Sequence, residues 1–282
     1  MNALTLGLIA AFSWGIHDVT IRRISQTAPL MATLLGVLVV GTAFQVVVMA
    51  VTEGFTPLPR IAVIYSILAG VGFLLASVCL YNAFHRGPVR IVAPVIGSYP
   101  VLSVALASFR GEEINLLQWS AVLAVVIGIA IVSTFSAEPE AEEIPPVLPT
   151  IALSALAAIG FFSTLAFGQE AAKLADDLPS ILITRITSIL LLLPAFPLLA
   201  LPWSPGRRAM PFIAIMGVLD GIALLCVISA GSLPSAQYAA VASSTFGMIT
   251  IILAWIFLRE RLTVPQWLGC AVAFGGIGFL AL

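Results

Sequence analysis

The sequence predicts an all-α integral membrane protein with ten transmembrane helices, arranged as two inverted five-helix repeats. Three observations lead to this fold class: the composition, ten long apolar stretches, and a pattern that recurs between the halves of the chain. Of the 282 residues, 61% are hydrophobic and only 9% are charged, whereas a water-soluble domain carries about 25% charged residues. The mean hydropathy is +1.14. Because so few charges cannot cover the surface of a protein of this size, most of that surface must face lipid.

Each apolar stretch is long enough for one crossing, since about 20 mainly apolar residues span about 30 Å of hydrocarbon. The ten predicted spans are residues 3–21, 30–52, 61–84, 89–109, 116–135, 148–168, 179–201, 210–230, 235–257 and 265–282. The first stretch lacks the basic region and the small-residue cleavage site of a secretory signal, so it is predicted to be the first membrane helix. The short connections leave no room for a catalytic domain outside the membrane.

An acidic, proline-containing segment divides the chain into two halves of five spans each. The predicted domains are a first repeat at 1–136, an acidic linker at 137–147 and a second repeat at 148–282. A shift of 148 residues places several residues on identical ones: Glu112 on Glu260, Gln118 on Gln266, Trp119 on Trp267 and Gly128 on Gly276. Because five crossings are an odd number, the second copy is predicted to be inverted. Inverted repeats are common in secondary transporters, which bind substrate between the copies near the midplane.

Two charged residues lie well inside predicted spans, where a charge is costly unless it is paired or hydrated. Asp220 is near the middle of the eighth span, and Arg185 lies inside the seventh. Asp220 is a candidate for binding a substrate ammonium group or a proton, and Arg185 for binding a carboxylate. The alternative is a buried structural pair between neighbouring helices, or an Arg185 that extends to the membrane surface.

The first span carries a second polar group. Trp14 and Asp18 share one helical face, with His17 beside them. Trp14 is a candidate substrate contact, and His17 with Asp18 is a candidate proton relay. The alternative is an ion pair between Asp18 and Arg22 at the membrane surface.

The third and sixth spans add three further candidates. Tyr81 and His85 share a face of the third span. Tyr81 is a candidate substrate contact and His85 a candidate proton carrier, while the alternative for both is anchoring at the headgroups. Phe161 in the sixth span is a weaker substrate-binding candidate, with plain packing as its alternative.

Local unwinding is predicted at corresponding places in the fourth and ninth spans. The fourth contains Ser98, Tyr99 and Pro100 after a glycine, and the ninth contains Ser244 and Phe246. A proline frees a backbone carbonyl, and broken helices at matching positions of two repeats are typical of a transporter site. Serine and glycine are also ordinary packing residues between membrane helices.

Two junctions between spans are hinge candidates. Gly87 and Pro88 join the third and fourth spans, and Pro234 stands between the eighth and ninth. With Pro100, these positions are candidates for movement during transport. Tight turns explain the junctions equally well.

Several short motifs recur in a fixed order along the chain. They are Trp14-Gly15, Gly87-Pro88 followed by Val-Arg-Ile-Val-Ala-Pro, Glu112, Arg259-Glu260-Arg261-Leu262-Thr263, Gly269 and Gly276. In this order and spacing the chain resembles the ten-helix EamA-type members of the drug/metabolite transporter superfamily. Within that group it is most similar to exporters of amino acids, including aromatic ones. The resemblance implies two inverted repeats, a central cavity and alternating access. The second half lacks a Trp-Gly counterpart, so the repeats need not be equivalent at the cavity.

Together these features predict a multi-pass secondary carrier of a bacterial inner membrane, which exports amino acids or similar small amphipathic solutes by alternating access. An exporter of drugs or other metabolites with the same fold is the alternative. An intramembrane lipid-modifying enzyme is disfavoured, because the sequence has neither a DDxxD-like nor an HExxH pattern. The protein is predicted not to be an enzyme.

The expected partners are a small-molecule substrate and the lipid bilayer. No Lys/Arg-rich run indicates nucleic-acid binding. No cofactor or metal is expected, since Cys79, Cys226 and Cys270 lie in apolar stretches without ligand-like spacing.

Overall fold

The computed structural model describes residues 2–52, 56–109, 115–135, 147–233 and 237–280, and all regular secondary structure in these ranges is helical. The helices are α1 (Ala3–Ile24), α2 (Leu30–Val51), α3 (Arg60–Arg86), α4 (Val89–Gly97), α5 (Tyr99–Phe109), α6 (Leu116–Thr134), α7 (Val147–Leu174), α8 (Asp177–Leu192), α9 (Ala195–Leu198), α10 (Met210–Ser229), α11 (Gln237–Ser244), α12 (Phe246–Leu253) and α13 (Val264–Leu280). A π-helical turn, Ala254–Leu258, extends α12. The prediction of an all-helical chain is confirmed.

Six stretches of the described chain are long and apolar enough to cross a membrane. They are Ala3–Ile24, Leu30–Val51, Arg60–Arg86, Val147–Leu174, Asp177–Leu198 and Arg207–Ser232. These stretches coincide with the predicted first, second, third, sixth, seventh and eighth spans. The other predicted spans correspond to α4 with α5, to α6, to α11 with α12, and to α13.

Three predicted spans are interrupted helices. The fourth is divided at Ser98 and the ninth at Thr245, in the segments where the sequence predicts unwinding. The seventh was predicted as one helix at 179–201, but α8 ends at Leu192 and only the short α9 follows. Pro194 explains this difference, because proline has no N–H to donate and its ring clashes with the preceding turn. Pro234, Glu112 and nearly all of the acidic linker lie outside the described residues.

The distribution of polarity is the reverse of that in a water-soluble protein. Large apolar side chains point outward on several helices, and Phe12 and Val47 are each 60% exposed. Charged and amide side chains lie inside, since Asp18, Gln45 and Arg185 are buried. This arrangement suits a protein that is surrounded by hydrocarbon and keeps its few charged side chains inside a mainly apolar core.

Glycines bring the backbones of α6 and α13 into close contact. A Cβ atom on Gly128 of α6 would lie 2.5 Å from the carbonyl oxygen of Gly269 and from the amide nitrogen of Ala273. A Cβ atom on Gly276 of α13 would lie 2.7 Å from the carbonyl oxygen of Ala121. The later part of α6 therefore meets the earlier part of α13, and the two helices run antiparallel.

A second close approach joins α3 to α8. A Cβ atom on Gly70 would lie 2.6 Å from the carbonyl oxygen of Thr184 and from Cβ of Thr187. The hydroxyl of Ser188 donates to the carbonyl oxygen of Gly70 at 2.8 Å, and that of Thr184 donates to the carbonyl oxygen of Ser66 at 3.1 Å. Ser66 contacts Thr184, and Gly70, four residues later, contacts Ser188, also four residues later. The helices α3 and α8 therefore run parallel.

The packing of α2 on α10 has the same form. A Cβ atom on Gly217 of α10 would lie 2.9 Å from the carbonyl oxygen of Val37 and 2.5 Å from Cβ of Val40. Gly217 stands 147 positions after Gly70, and its two contacts stand 147 positions before those of Gly70. The two crossings are therefore related by exchange of the halves.

Candidate functional site

A buried cavity lies among α1, α2, α3, α7, α10 and α12. Its wall consists of Trp14, His17, Asp18, Leu34, Val37, Leu38, Phe73, Ser77, Leu80, Tyr81, Phe161, Asp220 and Phe246. The free space at its centre is about 20 Å³, which is room for about one water molecule. In this conformation the cavity is too small for an amino acid.

A buried ion pair stands at one side of the cavity. Nη2 of Arg185 on α8 lies 3.0 Å from Oδ2 of Asp220 on α10. Nε1 of Trp14 donates to the other oxygen of Asp220 at 3.3 Å, and the guanidinium lies 5.5 Å from the ring centre of Phe73. Arg185 itself is completely buried and fits there because Gly41 has no side chain; a Cβ atom at that position would lie 3.0 Å from Cζ of Arg185.

A second polar group lies on the same wall. Nδ1 of His17 lies 3.1 Å from Oδ1 of Asp18, and the rings of His17 and Tyr81 meet edge to face with centroids 6.2 Å apart. Arg22 instead pairs with Glu260. The structure therefore favours the His17–Asp18 pairing over the alternative of an Asp18–Arg22 pair.

Three aromatic rings complete the wall. The centroid of the Trp14 ring lies 5.8 Å from that of Phe161 and 6.0 Å from that of Phe246. The centroids of Phe161 and Phe246 are 6.5 Å apart. The rings come from α1, α7 and α12, so they join the two halves of the chain. Trp14 and Phe161 are 147 positions apart, so they stand at nearly equivalent positions of the two halves.

The remaining predicted site residues lie outside the cavity. The hydroxyl of Ser98 donates to the carbonyl oxygen of Val95 within its own turn. Tyr99 and Ser243 share a hydrogen bond of 2.8 Å between their hydroxyls, and Ser244 is buried beside them on α11. The Tyr99–Ser243 bond joins the two interrupted helices to each other. Of the site residues predicted in these two helices, only Phe246 reaches the cavity.

His85 and the first hinge candidates lie beyond the cavity along α3. Nδ1 of His85 lies 2.7 Å from the carbonyl oxygen of Ser25 at the end of α1. Gly87 packs on α7, since a Cβ atom there would lie 2.6 Å from Cγ2 of Thr150, and Pro88 precedes the first residue of α4. The side chain of Pro100 and all of Pro234 lie outside the described part of the structure.

One turn beyond the cavity, a cluster of polar contacts joins several helix ends. Nε of Arg22 lies 3.4 Å from Oε1 of Glu260, and Nη1 donates to the carbonyl oxygen of Phe84 at 2.8 Å. The amide of Val89, at the start of α4, donates to the other Glu260 oxygen at 3.0 Å. This Arg22–Glu260 cluster ties the ends of α1, α3 and α4 to the segment after α12.

Sequence reasoning missed the wall residues of α2 and, apart from Tyr81, those of α3. Leu34 and Leu38 are four residues apart on α2, and Phe73 and Ser77 are four and eight residues before Tyr81 on α3. Helical spacing from Tyr81 is the signal that identifies the α3 residues. The two leucines carry no such signal, because leucine is equally common on a lipid-facing surface.

Among the described residues, no group of three His, Cys, Asp or Glu side chains is close enough to share a metal ion. The three cysteines are buried and unpaired. What the arrangement can do is bind a small polar or charged group next to aromatic surface.

Comparison with known proteins identifies the family. A family model described as the EamA-like transporter family matches residues 1–134 and matches again at 148–282. The chain belongs to the EamA-like transporter family. Members of this family are membrane transporters of small solutes, so the chain is a multi-pass membrane protein whose partners are a small molecule and the bilayer.

Two further proteins resemble this EamA-like transporter. An uncharacterized protein of Methanocaldococcus jannaschii is 26% identical over 133 residues, which are 47% of this chain and 96% of that protein. A protein crystal structure matches with a TM-score of 0.69 at 15% identity, covering 98% of this chain and 94% of the other. At that identity the second likeness shows the fold alone.

Proposed function

We propose that this EamA-like transporter is a secondary carrier that exports amino acids or similar small amphipathic solutes by alternating access. The observation that carries the proposal is the buried cavity, whose wall brings together two carboxylates and five aromatic side chains inside an apolar bundle. Charged groups at membrane depth are costly and typically mark a substrate or ion pathway. A bacterial inner membrane is the proposed location.

The proposed architecture is two inverted repeats, 1–136 and 148–282, joined by the linker at 137–147. Antiparallel packing of α6 and α13 supports inversion, because Gly128 and Gly276 are counterparts at the 148-residue shift and each contacts the other's helix. The matching crossings at Gly70 and Gly217 support it further. The archaeal relative is about as long as one half of this chain, which agrees with a half as the structural unit.

Alternating access requires the closed cavity to open toward each membrane face in turn. One helical turn beyond the cavity residue Asp18, the Arg22–Glu260 cluster joins a first-half helix to a second-half segment. Release of this cluster is the proposed opening step toward one face. Gly87 and Pro88 lie beside it, and Pro100 and Pro234 remain the other proposed hinges.

Counterflow in proteoliposomes tests the proposal. Purified protein is reconstituted with unlabelled solute inside, and saturable entry of labelled solute is measured for a panel of amino acids and related amines. Ser77→Leu, which adds bulk to the cavity wall, is expected to abolish saturable entry. Ser120→Leu adds the same bulk on the exposed face of α6 and is expected to retain it. Equal activity of the two variants, or no saturable entry of any solute with the unaltered protein, contradicts the carrier function.

A further inference from the structure

We propose that the cavity selects primary amines that carry no carboxylate, and that the ammonium group binds among Asp18, His17 and Tyr81. This inference rests on the proposed carrier function and narrows its substrate class. It follows from the hydrogen-bonding groups, the charge and the shape of the wall.

Three buried polar atoms of the wall have neither a hydrogen bond nor an ion pair among the described residues: Oδ2 of Asp18, Nε2 of His17 and the hydroxyl oxygen of Tyr81. Oδ2 of Asp220 also lacks a hydrogen bond there, but it is paired with Arg185. Each of the three residues is at least 95% buried. Buried polar groups are nearly always paired, with protein, water or ligand. Three unpaired atoms around one small cavity therefore indicate a bound partner.

All three atoms can accept a hydrogen bond. Nδ1 of His17 lies 3.1 Å from Oδ1 of Asp18, and a proton held there leaves Nε2 as the accepting nitrogen of the neutral ring. The carboxylate oxygen and the phenol oxygen accept as well. A primary ammonium group has three N–H donors, which matches three acceptors.

The charge of the wall favours a ligand with one positive charge. In the proposed complex His17 is neutral and the Asp18 and Asp220 carboxyl groups are ionised. With the one positive charge of Arg185, the group then carries one net negative charge. A primary ammonium ion neutralises it, whereas a zwitterionic amino acid leaves it unchanged. Uncompensated buried charge is strongly unfavourable.

A carboxylate finds no cation on the cavity wall. None of the described residues that line it is lysine or arginine. Nη2 of Arg185 lies 3.0 Å from Oδ2 of Asp220. Its Nε and Nη1 have no hydrogen-bond partner among the described residues, but both atoms are buried and Arg185 does not line the cavity. A carboxylate in the cavity that bound Nη2 would compete with Asp220 for it.

The rest of the ligand is expected to be aromatic or apolar. Trp14, Phe161 and Phe246 pack around the cavity, and aromatic faces attract both apolar groups and cations. The free space of about 20 Å³ admits a group the size of an ammonium ion. The carbon body requires the three rings to separate as the cavity opens.

The polar site is not required by the repeat pattern. The shift of 147 residues that relates Gly70 to Gly217 also relates His17, Asp18 and Tyr81 to Thr164, Leu165 and Ile228. The second half thus achieves the same helix packing with residues that carry no charge at these positions. The polar trio of the first half is best explained by binding.

Isothermal titration calorimetry with the purified full-length protein tests the assignment, using four matched ligands at one pH. These ligands are phenethylamine, phenylalanine, phenethyltrimethylammonium and 2-phenylethanol. We expect phenethylamine to bind at least about tenfold more tightly than each of the others, since a charged hydrogen bond contributes that much or more. Tighter binding of phenylalanine, or no binding of phenethylamine, overturns the amine class. Equally tight binding of the trimethylammonium ion, which has no N–H donor, overturns the three-acceptor site.

Two variants of the polar trio locate the ammonium group. Asp18→Asn, which removes the charge but keeps the shape, is expected to weaken phenethylamine binding at least about tenfold. Tyr81→Phe removes only the hydroxyl and is expected to weaken it about threefold or more. Glu170→Gln, on the exposed end of α7 beside Lys173, is the control and is expected to bind as the unaltered protein does. Unchanged binding in both trio variants overturns the site.

The flux assay separates this inference from the carrier function. Saturable counterflow of amino acids at rates equal to or above those of the matched amines contradicts the amine class and leaves the carrier function standing. An absence of saturable counterflow for every solute contradicts the carrier function itself.

Discussion

Arg185 shows how a single residue can serve the fold while it shapes the site. Its guanidinium is completely buried, and the carboxylate of Asp220 provides the compensating charge at 3.0 Å. The same carboxylate accepts from Trp14, so the pair also fixes one aromatic ring of the cavity. A shift of 147 residues relates Asp220 to Phe73 and Arg185 to Leu38. The other half of the protein fills the equivalent positions with apolar side chains.

This relation predicts a non-additive stability effect. Asp220→Phe leaves the Arg185 charge buried without a partner and is expected to destabilise the protein by about 3–5 kcal/mol. The double variant Asp220→Phe with Arg185→Leu removes both charges and is expected to be markedly more stable than the single one. Thermal unfolding in detergent measures both. Additive losses would show that the two residues do not act as a pair.

Among the helices, close crossings at glycine set the geometry of the bundle. Neighbouring positions on α13 differ sharply: a Cβ atom on Gly276 would lie 2.7 Å from the carbonyl oxygen of Ala121, whereas no atom lies within 4 Å of a Cβ atom on Gly275. A backbone oxygen cannot move aside as a flexible side chain can. The interrupted helices are positioned differently, by the Tyr99–Ser243 hydrogen bond and the Arg22–Glu260 cluster.

Two adjacent Gly→Ala substitutions on α13 are expected to change the stability of the protein in opposite directions. Gly276→Ala forces α6 and α13 apart and is expected to lower stability by about 1–3 kcal/mol. Gly275→Ala meets open space and is expected to raise stability by up to about 1 kcal/mol, because alanine favours the helix. Thermal unfolding of the two variants under identical conditions provides the measurement. A loss for Gly275→Ala equal to that for Gly276→Ala would contradict the crossing.

At the scale of the whole molecule, the sequence predicted the parts that have a distinctive chemical signal. Asp18, Asp220 and Arg185 were identified because a charge inside an apolar stretch is rare. Leu38 was not, because the same residue type serves equally in a cavity wall, a core and a lipid-facing surface. Ser98 and Tyr99 lie outside the cavity. The Ser98 hydroxyl donates within its own turn, and the Tyr99 hydroxyl is hydrogen-bonded to Ser243, a partner set by tertiary packing.

The central claim is that one cavity, enclosed between two halves of the chain, opens alternately to the two sides of the membrane. The most direct measurement places a single cysteine in the wall, as Ser77→Cys with Cys79, Cys226 and Cys270 replaced by alanine. A membrane-impermeant thiol reagent is then applied to sealed vesicles from one side or the other. The account predicts modification from each side in separate experiments, slowed in both by a bound solute. Modification from only one side, or from neither, would contradict it.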